Sequence, residues 1–173
     1  CLSRGLGDVY KRQLLNGADG IGTGWSTFVP NYNPRDIVAN LRRRMVGEEY
    51  VPMIPWYRGF AGTIEPTAPD RFRCLGKATQ LDEATWEITE LPVRVWTSTY
   101  KEWLEERVVG SDKAAATLRE YKEYHTDTTV HFIVELNARG QEEMERVGPE
   151  SFFKLSTVIS TGNMVLFLSL IHI

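Results

Sequence analysis

The 173-residue chain carries 20 lysines and arginines against 23 aspartates and glutamates, a formal charge of −3, with 42% hydrophobic residues and two cysteines. That balance argues against a uniformly basic nucleic-acid binder but leaves room for a locally basic face. Two cysteines are too few for a cysteine metal site, and no apolar run approaches the length of a membrane span.

The two ends read as something other than protein design. Residues 8–13, "DVYKRQ", can be written GAT GTG TAT AAG AGA CAG, whose reverse complement translates as "LSLIHI", the last six residues. Chance would have to match six codons, whereas a shared adapter supplies both ends at once. The string looks like the transposase end used in sequencing-library kits, and residues 1–13 and 168–173 are expected to be adapter-derived scars. Setting them aside removes Arg4, Lys11 and Arg12 against Asp8, which moves the formal charge from −3 to −5 and leaves Cys74 as the single cysteine. The remaining 14–167 is long enough to bury one core.

Along that span, "LNGADGIGTGW" places Gly17, Gly20, Gly22 and Gly24 around one bulky apolar residue, Ile21. Asn33 is placed to cap a helix with Pro34 at its first position and Asp36 in its first turn. Ile37, Val38, Leu41 and Met45 share one face of it, Arg42–Arg44 spread around the other side, and Gly47 is the stop. Three strands are expected at 60–66, 72–78 and 85–91, as an antiparallel meander. A short helix starts near Thr97 or Ser98, turns Tyr100, Trp103 and Leu104 inward and ends at Gly110. A second helix is expected over 113–124. The clearest strand is 130–137, with Val130, Phe132, Val134 and Leu136 on one face, followed by a charged helix over 138–147 that Gly148-Pro149 ends. The mixture predicts an α+β fold with helices packed on a small mixed or antiparallel sheet.

Each candidate for chemistry has a plainer reading beside it. The glycine cluster lacks the Gly-Lys-Ser/Thr of a P-loop, and Pro30 and Pro34 interrupt before any helix begins, so nucleotide binding is weaker than a simple turn. A third reading makes Ile21 an apolar wedge flanked by the narrow backbone of Gly20 and Gly22; unstacking a base step costs roughly a few kcal/mol. An ordinary core isoleucine stays open beside it. His125 and Asp127 are two residues apart but have no neighbouring nucleophile, and a turn whose Thr or Asp side chains bond the backbone explains them equally. The glutamate pairs 48–49, 105–106 and 142–143 read as solvated faces, not metal sites. Lys154, Ser156, Thr157 and Asn163, in "FKLSTVISTGNM", suit phosphate-backbone contacts and suit a polar strand edge as well.

Five blocks in order then carry a resemblance: "NGADGIGTGWSTFVPNYNPRDIVANLRR", "PWYRGFAGTIE", "WEITELPVRVWTSTYKEWL", "KEYHTDTTVHFIVEL" and "FKLSTVISTGNMVLF". Together they resemble the central region of eukaryotic-type, ATP-hydrolysing DNA topoisomerase II over essentially all of 14–167, with Asp19 standing where that family often has glutamate. The resemblance implies the end of a winged-helix region with a wedge loop at 14–32 and a tower-like α+β domain at 33–167. It implies that Ile21, between Gly20 and Gly22, intercalates into the gate duplex and bends it, and that Lys154, Ser156, Thr157 and Asn163 lie in a DNA-contacting segment. The parent enzyme it implies is a nuclear homodimer that uses ATP and magnesium and cleaves double-stranded DNA through a tyrosine. Tyr32, Tyr57 and Tyr100 do not align with that nucleophile. The chain is therefore expected to hold no catalytic or metal-binding residue and no cofactor, and to be inactive alone. A stand-alone DNA-bending or scaffold module is the alternative.

Overall fold

The computed structural model describes residues 12–110, 115–126 and 128–165. The elements run α1 (Gln13–Asn16), β1 (Ala18–Gly22), β2 (Trp25–Val29), α2 (Pro34–Val46), β3 (Thr63–Ala68), β4 (Arg71–Leu75), β5 (Lys77–Gln80), β6 (Thr85–Glu90), α3 (Thr97–Val109), β7 (Leu118–Glu123), β8 (Phe132–Leu136), α4 (Ala138–Val147), α5 (Pro149–Phe152) and β9 (Ser156–Ser160). This is the α+β class expected, built on antiparallel sheets. The chain divides into two compact units: 1–60, 64–72 and 158–173 form the first, 61–63 and 73–157 the second. The segments expected to be adapter-derived, 1–13 and 168–173, fall almost wholly outside the described residues.

In the first unit, β1 and β2 make a two-stranded antiparallel hairpin. Helix α2 begins as expected. The Asn33 side chain accepts a hydrogen bond from the Arg35 amide at 2.9 Å, Pro34 opens the helix, and Gly47 closes it in the left-handed region at φ 84°. Its apolar face departs from expectation: Val38, Leu41 and Met45 are exposed, and the residue α2 buries is Asn40. Asn40 goes inward because its amide bonds both backbone groups of Val51, donating to the carbonyl at 2.8 Å and accepting from the amide at 2.9 Å. Val29, Tyr32, Phe72 and Ile159 are among the buried apolar residues of this unit.

The second unit holds a four-stranded antiparallel sheet of order β5-β6-β8-β7. Trp86 and Ile88 from β6, and Phe132, Val134 and Leu136 from β8, form one face of its core. Tyr100 and Leu104 from α3, Met144 from α4 and Phe152 from α5 complete that core from the helices. Helices α3 and α4 and strand β8 therefore stand where the sequence puts them.

Two expectations fail. The helix expected over 113–124 is a strand, β7, over its described second half; residues 111–114 lie outside the described residues. Pairing with β8 fixes it, and only Leu118 of that strand is buried. The single meander is likewise absent. Gly76 breaks the expected strand 72–78 into β4 and β5, which belong to different sheets. A side chain at Gly76 would collide with the Glu90 carbonyl and crowd the Leu155 side chain, and the Gly76 amide donates to the Leu155 carbonyl at 2.8 Å. Strand β4, on the N-terminal side of that break, joins β3 and β9 in a three-stranded sheet of order β3-β4-β9.

Candidate nucleic-acid interface

The glycine cluster folds as the β1/β2 hairpin, in register from Ala18↔Val29 to Gly22↔Trp25, with Thr23 and Gly24 as its two-residue turn. Gly24 supplies the positive φ that turn needs, at 74°. The pairing spends the ribbon on its own ladder, and no helix follows until Pro34, so the arrangement is not a nucleotide cradle. Alternation along the strands sets Asp19, Ile21, Ser26 and Phe28 on one face and Gly20, Gly22, Trp25 and Thr27 on the other. Ile21 stands one rung below the turn and is 91% exposed, which removes the core-isoleucine reading. A side chain at Gly20 would press on the Thr27 methyl at 3.3 Å, and one at Gly22 would make an ordinary contact with the Trp25 carbonyl at 3.6 Å. A larger residue at Gly20 would therefore crowd Thr27, while Gly22 keeps the ribbon slim.

The base of the hairpin is anchored. Val29 is buried, the Tyr32 amide donates to the Leu14 carbonyl at 2.9 Å, and the Trp56 amide donates to the Asn31 carbonyl at 2.8 Å. Asn163 is brought to the same hairpin, where its backbone carbonyl accepts from the Phe28 amide at 3.4 Å. Its neighbour Val165 is bonded to the Thr27 hydroxyl.

In the second unit, Lys154 is exposed, with its backbone in the left-handed region at φ 51° and its ammonium 5.0 Å from the centre of the Trp103 ring. It sits at a cleft of about 620 Å³ whose lining includes Val95, Tyr100, Trp103, Ser156 and Thr157. Tyr100 fixes the approach to Lys154 by donating to the Phe153 carbonyl at 2.8 Å, and burial pushes its phenol well above the usual range. The two hydroxyls are engaged internally: Ser156 accepts from Arg73 Nε at 3.0 Å and Thr157 donates to the Val93 carbonyl at 3.4 Å.

A family model for the A subunit of DNA gyrase/topoisomerase IV matches residues 12–171. The chain belongs to that family. Human DNA topoisomerase 2-alpha is 50% identical over 155 residues, which is 89% of this chain and 10% of the human protein. DNA topoisomerase 2 top-2 of Caenorhabditis elegans is 51% identical over 157 residues, with the same coverage of 89% and 10%. A crystal structure of the Plasmodium falciparum topoisomerase II DNA-binding, cleavage and re-ligation domain superposes with a TM-score of 0.85 at 38% identity, covering 92% of this chain and 22% of that one. This chain thus spans about a tenth of the length of the two relatives.

Within this topoisomerase-family chain, Gly20, Ile21, Gly22 and Asn163 gather in the first unit, and Lys154, Ser156 and Thr157 in the second. Sequence reasoning passed over Trp25, which is 67% exposed on the face opposite Ile21. Its signal was the aromatic residue directly after the turn glycine. The His125 motif belongs to a turn: His125 Nδ1 accepts from the His131 amide at 3.1 Å, and Thr126 Oγ1 accepts from the Thr129 amide at 3.1 Å. Asp127 lies outside the described residues. Among the described residues, no group of three His, Cys, Asp or Glu is placed to hold a metal, and no helix is long and apolar enough to cross a membrane.

Proposed function

We propose that this chain is a segment of an ATP-dependent type II DNA topoisomerase, the part that engages and bends the gate duplex while another duplex passes through its transient break. One observation carries the reading: a 91% exposed isoleucine at the end of a slim, glycine-flanked two-stranded ribbon. Apolar side chains so presented enter a base step and kink the duplex, at roughly a few kcal/mol per unstacked step. Lys154 and the backbone around Asn163 are the candidates for phosphate contacts.

The tyrosine that cleaves DNA, the magnesium-binding carboxylates and the ATPase are assigned to other parts of the parent polypeptide, which works as a nuclear homodimer. Bound magnesium would stabilise charge developing on the scissile phosphate. The described carboxylates do not form a cluster that fits the ion. The role of this chain is to hold and deform DNA, and alone it should not cut.

The test is energy transfer across an end-labelled duplex with Ile21→Ala. Bending should fall several-fold while salt-dependent affinity stays nearly constant, because phosphates supply affinity and the wedge supplies deformation. Unchanged bending would sink the assignment.

A further inference from the structure

The wedge raises a mechanical question. A two-stranded ribbon is marginally stable by itself, yet one that unstacks bases must hold its tip against the duplex. What braces it lies on the face opposite Ile21.

Thr27 pairs with Gly20 across the ladder, one rung further from the turn than the Ile21–Ser26 pair. Its Oγ1 accepts from the Val165 amide at 3.0 Å and donates to the Val165 carbonyl at 3.0 Å. The next residue, Phe28, donates its amide to the Asn163 carbonyl at 3.4 Å. The segment that receives these bonds is itself tied down: the Met164 amide donates to the Thr161 carbonyl at 3.0 Å, and the Thr161 amide to the Asp70 carbonyl at 2.9 Å. The Thr27 methyl meanwhile fills the space over Gly20. One side chain therefore clamps β2 to the chain around Val165 and packs across to β1.

We infer that Thr27 is the positioning residue of the wedge, setting the angle at which Ile21 meets DNA. This rests on the reading of Ile21 as a wedge. The hydroxyl, through its two bonds to Val165, carries the brace, and the methyl only packs over Gly20. The arrangement also gives the backbone of Asn163 and Val165 a mechanical role in DNA engagement, whatever their side chains touch.

The experiment compares Thr27→Val, Thr27→Ser and Ile21→Ala in the full chain, reading energy transfer across an end-labelled duplex, salt-dependent affinity and amide exchange at Val165. Thr27→Val keeps the shape and loses both bonds; Thr27→Ser keeps the hydroxyl. The expected result is an about fivefold lower bent fraction and about fivefold faster Val165 exchange in Thr27→Val, with affinity held and both readouts recovered in Thr27→Ser. Normal bending by Thr27→Val while Ile21→Ala fails to bend overturns the brace and leaves the wedge standing. A parallel loss of bending and affinity in Thr27→Val also overturns it, because that marks general damage. Normal bending by Ile21→Ala, or no bending by the unsubstituted chain, overturns the wedge reading and the brace with it.

Discussion

The phenol of Tyr100 donates a 2.8 Å hydrogen bond to the backbone carbonyl of Phe153, so that α3 holds the turn from which Lys154 projects. Both residues are buried in the core of the second unit. Tyr100→Phe keeps the ring and its tilted packing on Phe132 but leaves that carbonyl without its partner. An orphaned buried acceptor costs about 1–3 kcal/mol. The melting temperature should drop by several degrees, and the drop should be absent from a substitution on the exposed side of α3 such as Glu102→Gln.

Alkali should weaken the same unit. Burial pushes the Tyr100 phenol up, and Tyr121 is pushed up to about 12, by desolvation first and then by its 2.9 Å hydrogen bond to Glu105. The folded state therefore keeps protons that the unfolded chain releases near the ordinary phenol value. Stability from these groups is complete below about pH 10 and falls as pH rises through their folded values. Lys101, raised by its hydrogen bond to Glu123, acts in the same direction. A spectrophotometric phenolate titration should show late-titrating tyrosines, and melting temperatures should decline above about pH 10. A flat stability profile from pH 9 to 11 would contradict the assignment.

Asn40 behaves as a piece of strand grafted on a helix, bonding the amide and carbonyl of Val51 together. Asn40→Ala breaks both bonds at once. Val51 is itself exposed, so water can re-bond its backbone, and the cost should sit near 1 kcal/mol, below the full penalty of a buried orphan. Amide exchange at Val51 should accelerate strongly while the core of the second unit, Phe132 and Val134, stays protected.

What was legible and what was not divides along one physical line. Local chemistry reads well: Asn33, Pro34 and Gly47 bound α2, and alternation marks β8, because each signal acts within a few residues. Strand β7 was unreadable because Leu118, Arg119, Glu120, Tyr121, Lys122 and Glu123 bury one residue, and a polar strand edge looks like a solvated helix. The break at Gly76 depends on Glu90 and Leu155, which no local pattern announces. At the site, the glycines marked the ribbon, but it took the exposure of Ile21 to set aside the core reading, and exposure is a tertiary property. Thr27 had no sequence signal, since its partner lies 138 residues away.

Gly140 offers a test in which two effects oppose. It sits in the first turn of α4, where its amide donates to the capping Asn137 side chain at 2.8 Å. Helix propensity alone favours Gly140→Ala by about 1 kcal/mol. However, a Cβ there would run into the Thr117 backbone carbonyl, and Thr117 cannot easily yield. Its amide donates to the Arg107 carbonyl at 3.0 Å, its carbonyl accepts from the Asn137 amide at 3.2 Å, and the residue is buried. Overpacking against fixed backbone costs about 1–3 kcal/mol, which outweighs the propensity gain. Gly140→Ala should therefore lower the melting temperature, whereas an alanine at Glu145, on the exposed part of the same helix, should leave it nearly unchanged. A Gly140→Ala chain as stable as the original would mean that α4 can step back from Thr117, and that this close approach is a convenience of packing and not a constraint on it.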